Sequence, residues 1–278
     1  MVMVDCHTHS VFSPDAENTV GEMCERAIER GLSVYAITDH CECNRYYKKE
    51  NYNKTELGDY NSDELIKGSF NVLEAEKERL CEKLKLLIGI ELGQATFDTE
   101  VAYKAIADSR IDYVIGSMHQ AFGFEDFCFL RLDELNVDAL LENYYNEVYK
   151  LCELGCFDSL GHLTYPLRYI TGDFKISPDM KLHEEKIRMS LKLLSQKGKA
   201  LEINTSGLFQ NYGKIFPPIE YVKMFREYGG ELITFGSDAH CVRHLGFGIE
   251  KGIELASQAG FKYGCYYEKR KPVMFKLG

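Results

Sequence analysis

The residues with the clearest chemical potential are two histidines at the end of the opening apolar run, M-V-M-V-D-C-H-T-H-S. Successive side chains of a strand point to opposite faces, so Asp5, His7 and His9 would share one face. Burying two imidazoles without a partner is costly, whereas a divalent metal ion binds neutral imidazole readily. The H-x-H spacing is short and common, so this stretch alone leaves open metal ligands and ordinary hydrogen-bonded or surface histidines.

The same arrangement, an apolar run that ends in imidazole or carboxylate, recurs along the chain. The polar residues that end the later runs are Asp39, His40, Glu91, His119, His162, Asp238 and His240. Six of the eight histidines therefore fall at such ends, and histidines placed for packing or solubility would have no reason to favour them. The other two, His183 and His244, are interpreted as structural or surface residues.

Imidazole and carboxylate ligands without thiolate are typical of zinc, manganese or iron in a hydrolytic site. The set is too large for one ion, so we expect two or three divalent metal ions. Glu91 is the natural bridge, because a carboxylate has two oxygens. Such a cluster can generate hydroxide near neutral pH and hold the attacking and leaving oxygens in phosphoryl transfer. Cys41 and Cys43 form a C-x-C pair without a second matched pair, which favours ordinary packing.

The elements that must position these residues alternate between extended and helical patterns. Amphipathic spacing predicts helices over 20–30, 71–85, 99–109, 137–154, 182–197, 219–228 and 247–259. Apolar runs predict strands in the opening stretch and over 32–38, 86–90, 111–117, 157–160, 200–203 and 231–235. Seven strands joined by right-handed helical crossovers form a parallel α/β barrel, with all strand ends at one rim. Active sites of such barrels lie at that rim.

Two further segments have no place in this repeat. The last stretch, 261–275, is predicted to be extended. Between Cys41 and Lys67 the chain is polar and weakly periodic, and a long loop of this kind in a compact domain is typical of a lid or binding segment. No linker or low-complexity tract divides the chain, so residues 1–278 are predicted to form one domain.

Composition limits the class of protein. With 45% hydrophobic and 27% charged residues the chain resembles an ordinary globular protein, and its net charge of −10 disfavours nucleic-acid binding. An anionic small substrate is compatible with that charge, because bound metals reverse the local field. No apolar run approaches the ~20 residues of a membrane span. Because polar residues begin at Asp5, no signal peptide is predicted. The ten scattered cysteines predict a reduced, cytoplasmic protein.

Taken together, these motifs resemble one known family. Its motifs in this chain are H-T-H at 7–9, T-D-H at 38–40, Glu91, G-S-M-H at 116–119, G-H at 161–162 and G-S-D-A-H at 236–240. Their order resembles the PHP (polymerase and histidinol phosphatase) family over nearly the whole chain. Y-P-L-R at 165–168 and E-I-N-T-S-G at 202–207 are similar to its monofunctional histidinol-phosphate phosphatase branch. The resemblance implies a single-domain, distorted (β/α)7 barrel with a trinuclear metal site.

The resemblance also implies which residues hold each ion. The three sets are His7, His9, Glu91 and Asp238 for one ion, Glu91, His119 and His162 for a second, and His40 and His240 for a third. The third set needs a residue from the loop after the first strand, where many relatives have a histidine. Here that loop reads F-S-P-D-A at 12–16, and Asp15 is the candidate substitute. The alternative role of Asp15 is in a turn or helix cap.

Other residues are predicted to bind the substrate. Arg168 is the candidate for gripping phosphate, since guanidinium offers paired donors; the alternative is a surface arginine. Asn204 and Ser206 are predicted to line the pocket, although residues 208–210 read L-F-Q where relatives often carry a basic residue. Glu42 is a candidate partner for a substrate ammonium group.

The activity implied by the resemblance is hydrolysis of L-histidinol phosphate to L-histidinol and phosphate, a late step of histidine biosynthesis. It would proceed by attack of a metal-bridging hydroxide, with Asp238, His240 and Arg168 as candidate catalytic residues. One alternative is a PHP phosphoesterase that acts on another small phosphomonoester or nucleotide. A second is a non-catalytic metal- or phosphate-binding regulator. The second is disfavoured because a retired site should have lost ligands, whereas only the loop histidine is missing here.

Overall fold

A sheet of parallel strands forms the centre of the fold. The computed structural model describes residues 2–43 and 63–278. The strands are β1 (Val4–Asp5), β2 (Val34–Ile37), β3 (His40–Glu42), β4 (Lys85–Gly93), β5 (Tyr113–Ser117), β6 (Ser159–Leu160), β7 (Ala200–Asn204), β8 (Ile233–Gly236), β9 (Tyr263–Glu268) and β10 (Lys271–Lys276). The helices are α1 (Val20–Glu29), α2 (Asp63–Arg79), α3 (Thr99–Ala105), α4 (Val137–Leu154), α5 (Glu184–Gln196), α6 (Ile219–Glu227) and α7 (Ile249–Gln258). Most of the predicted lid segment, 44–62, lies outside the described residues.

Seven parallel strands follow one another around the barrel in the order β1, β2, β4, β5, β6, β7 and β8. They read as continuous apolar runs because both faces of the sheet are covered, and every residue of β4 after Lys85 is buried. β1 and β8 close the ring through a hydrogen bond from Cys6 N to Phe235 O of 2.8 Å. The short β3 pairs with the end of β4 and sets His40 opposite Glu91. The predicted distorted (β/α)7 barrel is therefore confirmed.

Sequence-encoded caps set the ends of several helices. The Thr19 hydroxyl accepts a hydrogen bond from Glu22 N, and the Glu22 carboxylate accepts one from Thr19 N, which forms a capping box at α1. Asn136 caps α4, which ends at Gly155 with φ of 64°. The predicted bounds of α1, α4, α5, α6 and α7 agree with the structure to within two residues. Among the described helices, none combines the length and apolar character that crossing a membrane requires.

The predicted bounds of the second helix are wrong. Periodicity predicts a helix over 71–85, whereas α2 spans Asp63–Arg79. Gly68 lies inside it, at a point where an added Cβ would come within 2.9 Å of Phe12 Cε1, so glycine lets α2 pack closely on the loop after β1. Ser69 Oγ then donates a hydrogen bond of 2.6 Å to Asp39. Tertiary packing thus outweighs the weak helical propensity of this segment. The third helix is also shorter than predicted and ends at Ala105.

The extended terminal stretch forms an antiparallel hairpin of β9 and β10, as predicted. It covers the end of the barrel where the strands begin. Tyr267 Oη donates to Asp158 O (3.2 Å), just before β6, and Arg270 N donates to Asp112 O (2.8 Å), just before β5. The hairpin therefore closes the N-terminal end of the barrel, on the far side from the predicted ligands.

Candidate metal centre

The nine predicted metal ligands meet at the C-terminal ends of the strands. They are His7, His9 and Asp15 after β1, His40 at the start of β3, Glu91 within β4, His119 after β5, His162 after β6, and Asp238 and His240 after β8. Asp39, which ends the same apolar run as His40, faces away from them. Its carboxylate accepts hydrogen bonds from the Ser10 and Ser13 hydroxyls, so it holds the loop after β1 in place.

Glu91 lies at the centre of the cluster and is fully buried. Its Oε1 is 2.9 Å from His162 Nε2 and 3.1 Å from His119 Nε2. Its other oxygen, Oε2, faces a second group of imidazole nitrogens: His40 Nδ1 at 2.8 Å, His7 Nε2 at 3.4 Å and His9 Nε2 at 3.5 Å. The two oxygens of one carboxylate therefore serve different histidine groups, which is the arrangement of a bridging ligand.

Asp238 completes the set around His7 and His9. Its Oδ1 is 3.6 Å from His7 Nε2 and 3.4 Å from His9 Nε2. The Asp238 backbone has φ of 53°, in the left-handed region that few residues other than glycine adopt. A long-range hydrogen bond from Asp238 N to His7 O (2.7 Å) holds this conformation. The strained backbone aims the carboxylate at the two imidazoles.

Asp15 faces the remaining pair of histidines. Its Oδ2 lies 3.2 Å from His240 Nε2 and its Oδ1 lies 3.6 Å from His40 Nε2, while the two imidazole Nε2 atoms are 3.3 Å apart. The nearby helix cap is supplied by Thr19 instead. The geometry therefore favours Asp15 as the third-site ligand over a helix cap, and the residue lies in a turn and is half exposed (47%).

The polar atoms at the centre of this cluster fit divalent cations. The buried atoms that have no hydrogen-bond partner among the described residues include His7 Nε2, His9 Nε2, His40 Nδ1 and Glu91 Oε2. Buried polar atoms without partners are rare and costly, and cations would satisfy all of these at once. Of the described residues, the sets suited to metal contain only imidazole and carboxylate. Cys41 and Cys43 are buried in the core, which agrees with the packing role predicted for them.

The electrostatics keep the carboxylates ready to bind metal. Burial alone would raise the pKa of Glu91, but His119, His7 and His40 hold it well below its usual value. Burial likewise opposes ionisation of Asp238, yet His7 and the hydrogen bond from His9 keep its pKa well below the ordinary value. Both carboxylates are thus ionised at neutral pH, and metal binding would displace protons from the facing imidazoles.

A second layer of residues orients the ligand imidazoles. Glu202, on β7, contacts His7 Nδ1 at 2.6 Å and accepts a hydrogen bond of 2.7 Å from His162 N. A carboxylate beside Nδ1 holds the proton there and leaves Nε2 free to bind metal. Glu202 is not among the residues predicted for the site, although a charge inside the apolar run A-L-E-I-N is a signal for a buried partner. Ser13 Oγ similarly contacts His9 Nδ1 at 3.1 Å.

Glu202→Gln is expected to weaken metal binding by about 10- to 100-fold, the usual effect of losing a ligand's hydrogen-bond partner. The amide keeps the side-chain volume but removes the charge that fixes the His7 proton. Calorimetric titration of metal-free protein with zinc measures the change. Glu147→Gln is the matched control, because Glu147 is also buried but bonds to Thr96 Oγ1 on another part of the barrel. Equal affinities for the two variants would contradict this role of Glu202.

A cavity of about 670 Å³ opens above the cluster. Arg168 lines it and begins a short π-helical turn, Arg168–Asp173, of a kind that is frequent at functional sites. Its guanidinium lies 5.1 Å from the centre of the Tyr169 ring. Within the part of the chain that the structure describes, this guanidinium has no carboxylate partner. A half-buried cation beside a metal-ligand cluster is well placed to bind an anion.

Three residues that were predicted to bind substrate make hydrogen bonds or close contacts with other protein residues. Asn204 Nδ2 donates to Asp238 Oδ2 (3.4 Å), and Asn204 Oδ1 accepts from Ser206 Oγ (2.7 Å). Neither residue is among those that line the cavity: Asn204 supports the Asp238 ligand from behind, and Ser206 supports Asn204. Glu42 does line the cavity, but its Oε1 is 3.0 Å from His119 Nδ1. Glu42 can therefore orient the His119 ring, and it also forms a group with His40 and His119 that could hold a metal ion. Its pairing with a substrate ammonium stays a prediction.

The two remaining histidines differ from each other. His183 is buried against Tyr145, with ring centres 5.7 Å apart, as expected of a structural residue. His244 instead lines the cavity and stacks on Phe209 with ring centres 4.0 Å apart. The stacking agrees with the predicted structural role, and the structure adds that His244 also borders the cavity. His244 follows β8 by several residues, so its loop, rather than a strand end, brings it to the cavity.

A seven-stranded parallel barrel with an imidazole and carboxylate cluster at its C-terminal rim defines a class of barrel metalloenzymes. Within that class, the chain belongs to the PHP domain family, which matches residues 5–206. The family resemblance seen in the sequence is thus confirmed.

Individual relatives extend over nearly the whole chain. A Thermotoga maritima protein named "Probable histidinol-phosphatase" is 32% identical over 276 residues, covering 99% of this chain and 100% of its own. A Lactococcus lactis protein named "Histidinol-phosphatase" is 29% identical over 94% of this chain and 93% of its own. The crystal structure of the Lactococcus lactis histidinol phosphate phosphatase with zinc, L-histidinol and phosphate superposes with a TM-score of 0.80. It is 25% identical and covers 98% of both chains.

Proposed function

We propose that this chain is a metal-dependent phosphomonoesterase that hydrolyses L-histidinol phosphate to L-histidinol and inorganic phosphate. The observation that carries the proposal is the buried imidazole and carboxylate cluster, with Arg168 beside it in one cavity and without a carboxylate partner among the described residues. Relatives of the same length are named for this activity, and a structural neighbour holds zinc, L-histidinol and phosphate. The predicted enzyme class and its use of divalent metal are confirmed on this basis.

The chain's own residues divide the work between metal holding and substrate binding. The three ligand sets around Glu91, Asp238 and the His40–His240 pair would hold the ions. When bound, divalent ions in such sites supply a strong nucleophile from water and neutralise charge on phosphoryl oxygens. Arg168 binds the phosphoryl oxygens through paired N–H donors and keeps the phosphorus in front of the cluster.

Asp238 and His240 are among the cluster residues that line the cavity. His240 Nδ1 contacts Asp238 O at 3.0 Å, which fixes the direction of the ring. These two residues are therefore placed to orient the attacking water and to take part in proton movement at the phosphoryl group, besides any role as ligands. Positioning of substrate and nucleophile by rigid strand ends accounts for much of the expected rate enhancement.

A phosphate-release screen tests the proposed substrate. Metal-reconstituted protein is given L-histidinol phosphate, O-phosphoethanolamine, simple sugar phosphates and mononucleotides, and inorganic phosphate is measured. We expect a clear preference for L-histidinol phosphate in kcat/KM. A flat profile would overturn the specific substrate while leaving a phosphatase. Binding without turnover of any compound would favour a non-catalytic regulator and overturn the enzyme.

Removing the metal ions with a chelator is expected to abolish turnover and to lower the thermal unfolding midpoint by about 10 °C. The reason is linkage: ions bind the folded site better than the unfolded chain, and occupancy at 1,000 times Kd contributes ~4 kcal/mol of stability. Scanning calorimetry before and after adding back zinc, manganese or iron measures the change. A chelated, metal-free protein that keeps full activity would contradict the metal requirement.

The proposal extends to the setting of the enzyme. Residues 1–278 form a single metallophosphatase domain that acts on a small phosphorylated substrate and not on nucleic acid. A cytoplasmic location is supported by the ten cysteines, all of which are free thiols, because disulfides are rare in reducing compartments.

A further inference from the structure

One wall of the cavity is built from rings and an amide, none of which is a predicted metal ligand. Phe209 and Gln210 follow β7, and His244 follows β8, the next strand of the barrel. The Phe209 and His244 rings stack with centres 4.0 Å apart and planes 14° apart. The Phe247 ring meets Phe209 edge to face at 5.7 Å, which supports the stack from the side. All three of Phe209, Gln210 and His244 line the cavity.

This wall is poorly suited to phosphate. Burial and the neighbouring Arg243 lower the pKa of His244, so its ring is neutral at physiological pH. Arg243 also reaches the cavity, but it is 73% exposed and lies 3.7 Å from Glu17 Oε1. The half-buried Arg168 and the cluster around Glu91 therefore fix where the phosphoryl group binds. The rest of a phosphomonoester must then extend toward the other walls.

Gln210 adds a buried amide oxygen beside the stack. Its Oε1 is buried and has no hydrogen-bond partner among the described residues. Buried acceptors without partners are costly, and a rotation of the Gln210 side chain toward the cavity, which the residue lines, would bring this oxygen to a donor on a ligand. An amide oxygen accepts from an imidazole N–H, while flat rings stack on aromatic faces in offset or edge-on contacts.

We propose that Phe209, Gln210 and His244 form the leaving-group subsite, which selects phosphomonoesters whose alcohol carries a flat ring with an N–H donor. The proposal rests on the proposed function, in which that ring is the imidazole of L-histidinol. The ring packs against the Phe209–His244 stack, and its N–H donates to Gln210 Oε1. The three residues bind substrate and do not take part in the chemical step.

The test compares two substrates in the metal-loaded enzyme. Phe209→Leu keeps apolar volume but removes the aromatic face, and Gln210→Leu removes the acceptor. Each is expected to raise KM for L-histidinol phosphate about tenfold with little change in kcat, the pattern of lost uniform binding. For O-phosphoethanolamine, which has phosphate and ammonium but no ring, KM stays within about twofold of wild type. Phe209→Tyr keeps the aromatic ring, so its KM for L-histidinol phosphate is expected to be close to that of the wild type. Tyr103→Leu, an exposed aromatic outside the cavity, is the control.

Product binding gives a readout independent of turnover. Calorimetry is expected to show about tenfold weaker binding of L-histidinol to Phe209→Leu, with unchanged inhibition by inorganic phosphate. Weaker phosphate inhibition would place the wall at the phosphoryl end and overturn the subsite. Variants that keep wild-type KM for both substrates would also overturn it, while leaving the proposed function intact. If the wild-type enzyme itself shows no preference for L-histidinol phosphate, the proposed function fails, and the subsite inference fails with it.

Discussion

Glu91→Gln is expected to lower kcat for L-histidinol phosphate by about 10³-fold and to reduce the number of bound metal ions. Both Glu91 oxygens are committed: Oε1 faces His119 and His162, and Oε2 faces His7, His9 and His40. An amide can present only one acceptor oxygen, and its NH2 group would point at imidazole nitrogens meant for cations. The variant therefore removes the bridge and one negative charge from a fully buried site.

The size of the effect follows from the chemistry lost. Divalent ions contribute several kcal/mol of charge stabilisation in the transition state of phosphoryl transfer. Losing ~4 kcal/mol corresponds to about a 10³-fold drop in rate, at 1.36 kcal/mol per factor of ten. The free energy of unfolding also changes in this variant, since five imidazoles would face a neutral amide in place of a carboxylate. The folded fraction should therefore be checked by circular dichroism before kinetics are compared.

Elemental analysis of metal content and steady-state kinetics are the two measurements. Glu147→Gln serves again as the matched control, because it also removes a buried carboxylate but lies on α4, where it pairs with Lys150 Nζ at 2.7 Å. We expect this control to keep its metal ions and kcat. If Glu91→Gln kept full metal content and kept kcat within about tenfold of wild type, the bridging role would be wrong.

Arg168→Ala is expected to lower kcat/KM by about 10²- to 10³-fold while leaving metal content unchanged. The guanidinium has no carboxylate partner among the described residues, so its charge is available to the substrate phosphoryl group. Deleting one preorganised donor to developing negative charge costs roughly this amount in other enzymes. Arg168→Lys should recover about tenfold, because lysine keeps the charge but not the planar pair of donors.

The control for charge is Arg243→Ala, which removes an arginine from the mouth of the same cavity. Arg243 is largely exposed and pairs loosely with Glu17, so we expect kcat/KM to change less than about threefold. Inhibition by inorganic phosphate separates the two positions further: Arg168→Ala should weaken it strongly and Arg243→Ala only slightly. Equal losses of kcat/KM and of phosphate inhibition in the two variants would show that the summed positive charge around the cavity attracts phosphate. That result would contradict a specific role of Arg168.

Much of the site could be predicted because its ligands obey a local rule. In a parallel barrel each ligand lies at the end of an apolar strand, so His119 and His162 are recognisable from their own neighbours in sequence. The same rule missed Glu202, which lies inside β7 and meets His7 across 195 residues of sequence. It also predicts that Asn204 and Ser206 line the pocket, whereas neither is among the residues that line the cavity. A turn after a strand does not reveal which partners its side chains contact.

The bounds of α2 and the position of His244 illustrate the same limit. Gly68 inside α2 is explained only by the approach of Phe12, and His244 reaches the cavity only because the loop after β8 folds onto Phe209. Neither contact has a signal in local periodicity or propensity. Both contacts join segments that are far apart in the sequence.

The sequence by itself determined the repeat of strand and helix, the ligand types at the strand ends and the family to which the chain belongs. These follow from periodicity and from residue chemistry, which are local properties. Only the tertiary structure decided that Glu91 faces two groups of histidines, that Asp15 faces His40 and His240, and that rings of two loops form one wall of the cavity. Such contacts depend on distances between segments remote in sequence, which barrel closure and the folding of the rim loops set together.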